Sequence, residues 1–178
     1  PGNVGTRSML RLQGVPGSEA TGELSVTQTP LDRLGQSEQN LIVLEIANVG
    51  ETLAQMRMLA MRGGTSVYAW DPENGIASLR ERGLNVPGSK RLTDALRYVL
   101  QSMHFGVYLF VDFDGFIKSA DTLLLRRISR MQTANERKLV FVGSDFELPE
   151  ELEGMYERLT AQTEQQHRLR LRDGRWVQ

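Results

Sequence analysis

Residues Gly106 to Phe116 read GVYLFVDFDGF, and this stretch does most to decide the fold. The run from Gly106 to Val111 carries no charged side chain, which is typical of a strand buried on both faces of a parallel sheet. Asp112 ends the run, and Asp114 and Gly115 follow it. Ligands of open parallel sheets bind beyond the carboxyl ends of the strands. Asp112 is therefore the best candidate in the chain for a functional carboxylate.

The remaining sequence repeats a pattern of strand followed by helix. Apolar runs predict further strands at Leu41–Ile46, Ser66–Trp70 and Lys138–Val142. Apolar side chains at helical spacing predict helices at Glu51–Arg62, from a cap at Ser89 or Thr93 to Met103, at Lys118–Thr133 and at Leu148–Thr163. Residues Gly75–Arg82 are predicted as a loop or a short helix. The alternation predicts an α/β fold, a three-layer sandwich around a mainly parallel sheet of about five strands.

Two of the predicted helices have stripes that define their buried faces. One stripe comprises Leu92, Leu96, Val99, Leu100 and Met103, and the other comprises Ala120, Leu124, Ile128 and Met131. Met58 and Met61 lie off the stripe of the first predicted helix, which comprises Leu53, Met56, Leu59 and Ala60. They are interpreted either as core side chains that fill gaps or as side chains that face a partner.

The composition divides the chain into three segments. Residues 1–40 are rich in Gly, Ser, Thr, Gln and Pro and predict an irregular N-terminal arm, of which residues 1–8 precede the first methionine and are expected to come from the expression vector. Residues 41–164 form the α/β domain. Residues 165–178 are a basic tail predicted to form a strand or a β-hairpin around Asp173-Gly174.

Charge and cysteine content narrow the classes of function. The 178 residues carry a formal net charge of -1, so no global field attracts nucleic acid or an acidic membrane. Cysteine is absent, which excludes disulfides, thiolate metal sites and thiol nucleophiles and fits a reducing compartment. The apolar runs are too short to span a bilayer. We expect a cytoplasmic protein that does not contact a membrane.

Every predicted strand ends at or near an acid. These acids are Glu45, Asp71, Asp112 with Asp114, and Asp145. Carboxylates gathered on one edge of a sheet can hold a divalent cation through oxygen ligands. Acids at strand ends also cap turns and helices by accepting backbone N–H bonds, and this simpler interpretation is favoured. Asp71, Asp112, Asp114 and Asp145 remain the candidate ligand-binding residues.

No segment has the pattern of a phosphate-binding loop. The Walker A motif, G-x-x-x-x-G-K-[ST], does not occur, and the first strand continues into Ala47–Thr52, which has one glycine and no lysine. A helix beginning near Asn48 offers free N–H groups to an anion, but Glu51 would repel a phosphate. Val86–Arg91 has the wrong spacing and predicts a turn and a cap. The pattern indicates a degenerate, P-loop-like sheet without a Walker A loop.

Three segments resemble the N-terminal accessory domain of AAA-type ATPases related to hypothetical chloroplast reading frame forty-six. They are Val67–Asp71 with Gly75-Ile76, Leu92–Leu100 with Val107–Phe116, and Leu139–Val142 with the E-L-P-x-E-L-E start at Glu147–Glu153. The likeness spans about Leu41 to Leu159. It implies a P-loop-like domain that precedes the true ATPase module, does not hydrolyse nucleotide and contacts protein.

A second resemblance is to response-regulator receiver domains. In that family an acid at the end of the third strand accepts a phosphoryl group, and Asp112 would hold this position. The first strand, however, ends in Ala47-Asn48 where receivers have paired acids, and no lysine ends the last core strand. The resemblance is therefore the weaker of the two.

Together these observations predict a domain that is not an enzyme and acts in protein–protein interaction, with a protein partner or with itself. No cofactor and no metal are expected. Nucleic acid is not an expected partner, because the basic tail at Arg168–Arg172 has no interleaved aromatic side chains. The alternative is a regulatory module that binds a nucleotide or a divalent cation at the acids of the strand ends. A weak metal-dependent hydrolase using Asp112 and Asp71 is the least favoured possibility.

Overall fold

The computed structural model describes residues 29–132 and 137–160, which fold into a six-stranded sheet between helices. The strands are β1 (Leu41–Glu45), β2 (Val67–Asp71), β3 (Gly75–Ser78), β4 (Gly106–Phe110), β5 (Arg137–Gly143) and β6 (Glu157–Thr160). The α-helices are α1 (Pro30–Gln36), α2 (Val49–Gly63), α3 (Leu92–Gln101) and α4 (Ser119–Ser129), and a 3₁₀ turn covers Glu150–Leu152.

The strand order is β3-β2-β4-β5-β1-β6, and every neighbouring pair is parallel except β2 with β3. This arrangement confirms the predicted α/β class with a mainly parallel sheet. Receiver-like folds place the first strand between the second and the third parallel strands. Here β1 lies between β5 and β6, so the receiver resemblance is wrong. The predicted C-terminal hairpin lies outside the described residues.

The core is split between the two faces of the sheet, as the alternation of side chains along β1 illustrates. Leu41 and Val43 contribute to a cluster on the face that carries α3, α4 and the 3₁₀ turn. Ile42 and Leu44 contribute to the cluster on the other face, together with α1 and α2. Both faces are therefore buried, as expected for parallel strands, and the molecule has three layers.

The loop or short helix predicted at Gly75–Arg82 is wrong, because Gly75–Ser78 forms β3 and pairs antiparallel with β2. The turn between the two strands is stabilised by Asp71, whose Oδ1 accepts the backbone N–H groups of Glu73 at 2.9 Å and Asn74 at 2.8 Å. Gly75 completes the turn at a φ of 74°. An Asx turn followed by glycine reverses the chain within a few residues.

The helix predicted at Leu148–Thr163 is also wrong. The chain makes only the 3₁₀ turn, passes Gly154 at a φ of 81°, and then enters β6. β6 pairs in parallel with β1 and extends the sheet. The apolar residues Leu148 and Leu152, which suggested a helix, are buried in the core beside α4 without forming one. Pairing with a distant strand has overridden local helix propensity.

The remaining helices differ from prediction in their ends and faces. The N-cap of α3 is Arg91, and Met103 lies beyond the helix with 75% of its surface exposed. In α4 the buried residues are Asp121, Thr122, Leu125 and Ile128, whereas Ala120 is exposed.

Helix α1 lies in the segment predicted as an irregular arm. Thr29 and Asp32 form a reciprocal capping box at its start, which explains why it begins there. Residues 1–28 and 161–178 lie outside the described residues, so the division into arm, domain and tail stays a prediction.

Candidate functional site

The four candidate acids Asp71, Asp112, Asp114 and Asp145 lie at the carboxyl ends of β2, β4 and β5, and we call them the acidic rim. Since β4 pairs in parallel with both β2 and β5, these three strand ends share one edge of the sheet. Sequence reasoning therefore placed the acids on the correct edge. Glu45 ends β1 on the same edge, but its carboxylate accepts a hydrogen bond from Arg158 of β6 at 3.2 Å.

Asp71 is used by the hairpin turn. In addition to the two backbone bonds, both of its carboxylate oxygens accept the side-chain amide of Asn74, at 3.1 and 3.0 Å. Both oxygens are therefore already engaged in holding the turn. This geometry matches the interpretation of the acids as turn caps.

Asp112 and Asp145 share an unusual backbone conformation. Their φ angles are 51° and 56°, and they are the two non-glycine residues with positive φ in the described part of the chain. Aspartate tolerates this left-handed region better than most residues. Both side chains are exposed, and each residue is followed by a buried phenylalanine, Phe113 or Phe146.

The two phenylalanines close the carboxyl edge of the sheet beneath the acidic rim. The ring of Phe113 lies 4.7 Å from that of Phe141 and 4.8 Å from that of Phe146. Gly143 makes room for this cluster, because a Cβ at that position would lie 3.0 Å from the Phe146 ring. The left-handed aspartates thus turn the chain so that aromatic rings fill the region inside the strand ends.

The two loops considered for phosphate binding are occupied by their own side chains. Asn48 caps α2 by accepting the N–H of Glu51 at 3.1 Å. Ser89, which sequence reasoning considered only as a helix cap, is buried and accepts the N–H of Ile76 at 2.8 Å. Ser89 does not cap α3, whose N-cap is Arg91. Its hydroxyl instead connects the loop before α3 to the β2–β3 hairpin. No local sequence pattern predicts the Ser89–Ile76 hydrogen bond, because the two residues are thirteen positions apart.

Residues 29–132 and 137–160 contain no cluster of side chains with the arrangement of a metal site. No group of three or more His, Asp or Glu side chains there is arranged to hold a metal ion. The ligand-binding role of Asp71, Asp112, Asp114 and Asp145 stays a prediction. No helix in these residues is both long and apolar enough to cross a membrane.

Several large apolar side chains are exposed. They are Met58, Met61, Leu84, Tyr98, Met103, Phe105, Phe116 and Leu123. The interpretation of Met58 and Met61 as core side chains that fill gaps is wrong, because both are exposed, and the interpretation that they face a partner stays a prediction. Two open grooves also mark the surface. One lies between α3 and α4, and the other lies near α1, the end of α2 and the start of β4.

The family comparison agrees with this architecture. The sequence model of the SpoVK-like AAA ATPase, N-terminal domain family matches residues 27–161 of the 178-residue chain. No curated protein matches the chain. The matched region includes all the described residues, and it confirms the resemblance to an N-terminal accessory domain of AAA-type ATPases. The chain belongs to the SpoVK-like AAA ATPase N-terminal domain family.

Proposed function

We propose that this chain is a non-catalytic accessory domain through which an AAA-type ATPase contacts protein, either a partner or a second copy. Membership in a family of ATPase N-terminal domains supports an accessory role. The absence of a Walker A loop from the sequence supports a domain that does not itself hydrolyse nucleotide.

The observation that carries the proposal is the aromatic closure of the carboxyl edge. In open parallel sheets the crevice beyond the strand ends is where a ligand enters. Here Phe113 and Phe146 pack against Phe141 in that region. The helix that follows β1 is capped by Asn48. The Asn48 cap and the packed rings both support a domain that does not bind a phosphate group at these positions.

Exposed apolar side chains supply the surface that a protein contact needs. Phe105 is exposed just before β4, and Leu123 is exposed on α4. Contiguous apolar patches rimmed by polar side chains mark protein interaction sites, and an exposed phenylalanine or leucine can contribute to such a patch.

The alternative is a regulatory module that binds a nucleotide or a divalent cation at the acidic rim. The observation that favours it is the state of Asp112, Asp114 and Asp145. All three are exposed, and none forms a hydrogen bond or an ion pair with another described residue. Oxygen ligands of this kind suit Mg²⁺ or Ca²⁺.

A thermal-shift titration with ATP, ADP and GTP, each with and without Mg²⁺, separates the two functions. A ligand at one hundred times its dissociation constant adds about 2.7 kcal/mol to the free energy of unfolding and raises Tm by several degrees. We expect no shift for the wild type, for Asp112→Asn or for Glu81→Gln. Glu81 is an exposed acid in the loop after β3 and serves as the control. A shift in the wild type and Glu81→Gln that disappears in Asp112→Asn would establish the alternative.

A further inference from the structure

A basic groove runs between α3 and α4. It has a volume of about 490 Å³. Four arginines line it, Arg97 from α3 and Arg126, Arg127 and Arg130 from α4 and its end. Its volume falls within the range of about 300 to 1,000 Å³ that is typical of ligand pockets in proteins.

The floor of the groove is apolar. Helix α4 directs Leu125 and Ile128 into the core, whereas Leu124 is half-buried and Leu123 has 62% of its surface exposed. Both Leu123 and Leu124 line the groove. The helix thus carries two apolar surfaces, one against the sheet and one against solvent between the arginines.

Of the four arginines, Arg97 is the one that has an acidic partner among the described residues. Asp121 is fully buried, where it accepts hydrogen bonds from Thr93 and from the backbone of Lys118. Asp94 lies 3.6 Å from Arg97, in an exposed pair that contributes little. Arg126, Arg127 and Arg130 form no ion pair with any described residue.

Helix geometry alone does not explain this arrangement. Basic residues in the last turn of a helix interact favourably with its dipole, which accounts for Arg126 and Arg127. It does not account for Arg97 on the neighbouring helix or for the exposed Leu123. Guanidinium groups around the exposed Leu123 and the half-buried Leu124 suit a ligand that carries both carboxylates and an apolar side chain.

We infer that the groove between α3 and α4 binds an acidic, leucine-bearing segment of a partner protein. Arginine pairs with carboxylates through two parallel hydrogen bonds, and arginine is enriched among residues that dominate binding energy. The leucine floor separates this ligand from a nucleic acid, for which exposed aromatic side chains would be expected between the arginines. The inference rests on the proposed function, and it names the surface and the chemistry of the contact.

Fluorescence anisotropy with a labelled peptide tests the inference on the full chain. The probe is an amphipathic peptide of four helical turns, with leucines at helical spacing and glutamates elsewhere. Arg126→Glu with Arg130→Glu, and separately Leu123→Glu, are each expected to weaken binding at least about tenfold, or 1.4 kcal/mol. The control variant is Arg57→Glu with Arg62→Glu, two exposed arginines of α2 on the opposite face of the sheet. It should bind the peptide as the wild type does.

Two further probes test the apolar part of the ligand and the competing class of partner. A peptide in which serine replaces leucine should bind at least about tenfold more weakly. Single-stranded DNA of equal charge should bind more weakly than the leucine peptide. Circular dichroism and Tm of each variant establish that it is folded.

The inference is overturned by any of three results. The first is that the leucine peptide does not bind at low salt. The second is that the α2 control variant weakens binding as much as the groove variants do. The third is that the serine peptide or the DNA binds as tightly as the leucine peptide. These results are distinct from failure of the proposed function. A nucleotide-dependent shift that Asp112→Asn abolishes would refute the non-catalytic docking role, whatever the peptide does. If no nucleotide shifts Tm and the groove variants bind the peptide as tightly as the wild type does, the groove is refuted as the binding site and the proposed function is not.

Discussion

Gly75 and Ser89 form the tightest residue-level fit in the described part of the chain. Ser89 donates to the carbonyl of Val86 at 2.6 Å while it accepts from Ile76, and the indole N–H of Trp70 donates to the Ser89 carbonyl at 2.8 Å. Gly75 has a φ of 74°, and a Cβ on it would lie 2.6 Å from the Ser89 Oγ. Backbone conformation and space both require glycine here.

Gly75→Ala should therefore destabilise the protein more than Gly83→Ala. Gly83 has a similar φ of 81°, but a Cβ there meets nothing within 4 Å. The left-handed backbone costs either alanine about 1–2 kcal/mol, and overpacking at Gly75 adds about 1–3 kcal/mol. Urea unfolding of the two variants measures the difference. Equal losses of stability would show that the Ser89 contact is not a constraint.

Tyr108 makes the free energy of unfolding fall as the pH rises into the alkaline range. Burial raises the pKa of Tyr108 above its ordinary value of 10.0, and the hydrogen bond to Ser102 opposes this in part. Below pH 10 the phenol is neutral in both states, and its contribution is fully present. Above it the unfolded chain ionises first, so this contribution is lost as pH rises through the folded-state pKa, at up to about 1.4 kcal/mol per pH unit.

Tyr108→Phe removes this titration and should flatten the alkaline fall in the free energy of unfolding. Near neutral pH it loses only a 3.2 Å hydrogen bond to Ser102, a cost of about 1 kcal/mol. Urea unfolding at a series of pH values from neutral to about 11 gives the comparison. An identical alkaline slope in the two proteins would contradict the assignment.

At the level of elements, α3 and α4 are joined by a partly buried hydrogen bond. The Thr93 Oγ1 donates to Asp121 Oδ1 at 2.5 Å, while the Asp121 Oδ2 accepts the backbone N–H of Lys118 at 2.8 Å. One carboxylate thus holds the start of α4 and fixes it against α3. The same contact defines the spacing of the groove between the helices.

A double-mutant cycle of Thr93→Ala and Asp121→Ala should give a coupling of about 1–3 kcal/mol, since Asp121 is buried and Thr93 donates to it directly. The matched cycle of Asp94→Ala and Arg97→Ala, an exposed pair on α3, should give less than about 1 kcal/mol. Urea unfolding of the single and double variants supplies both values. Coupling no larger at Thr93–Asp121 than at Asp94–Arg97 would refute the link.

At the scale of the whole molecule, the carboxyl edge of the sheet is stabilised by aromatic packing and carries the acidic rim outside it. Phe113 is buried against Phe141 and Phe146, whereas Phe116, three residues on, has 46% of its surface exposed. The aromatic packing at this edge of the sheet therefore depends on Phe113 and not on Phe116. The packed rings give this edge of the sheet a structural role in this chain.

Phe113→Ala should lower the free energy of unfolding by about 3–5 kcal/mol, because it leaves a cavity in the core. Phe116→Ala should cost less than about 1.5 kcal/mol, because its ring is only partly buried. Thermal and urea unfolding distinguish the two variants. Similar losses would mean that the aromatic cluster does not close the edge as described.

The sequence by itself determined the fold class, four strands of the parallel sheet (β1, β2, β4 and β5) and the family resemblance. These features follow from local patterns, such as the apolar run of β4 and the stripe of α2, which any fold containing them must bury. The placement of the acids at one edge also followed, since parallel strands bring their carboxyl ends together. Each of these inferences needs only residues that are neighbours along the chain.

Only the tertiary structure decided which residues meet across the chain. Leu148–Thr163 has helical spacing, yet pairing with β1 makes Glu157–Thr160 a strand. Ser89 resembled a helix cap, yet it bonds to Ile76 in a different element. The arginine groove requires α3 and α4 side by side. Long-range hydrogen bonds and burial contribute free energies that exceed local propensities of a few tenths of a kcal/mol per residue, and no local pattern encodes them.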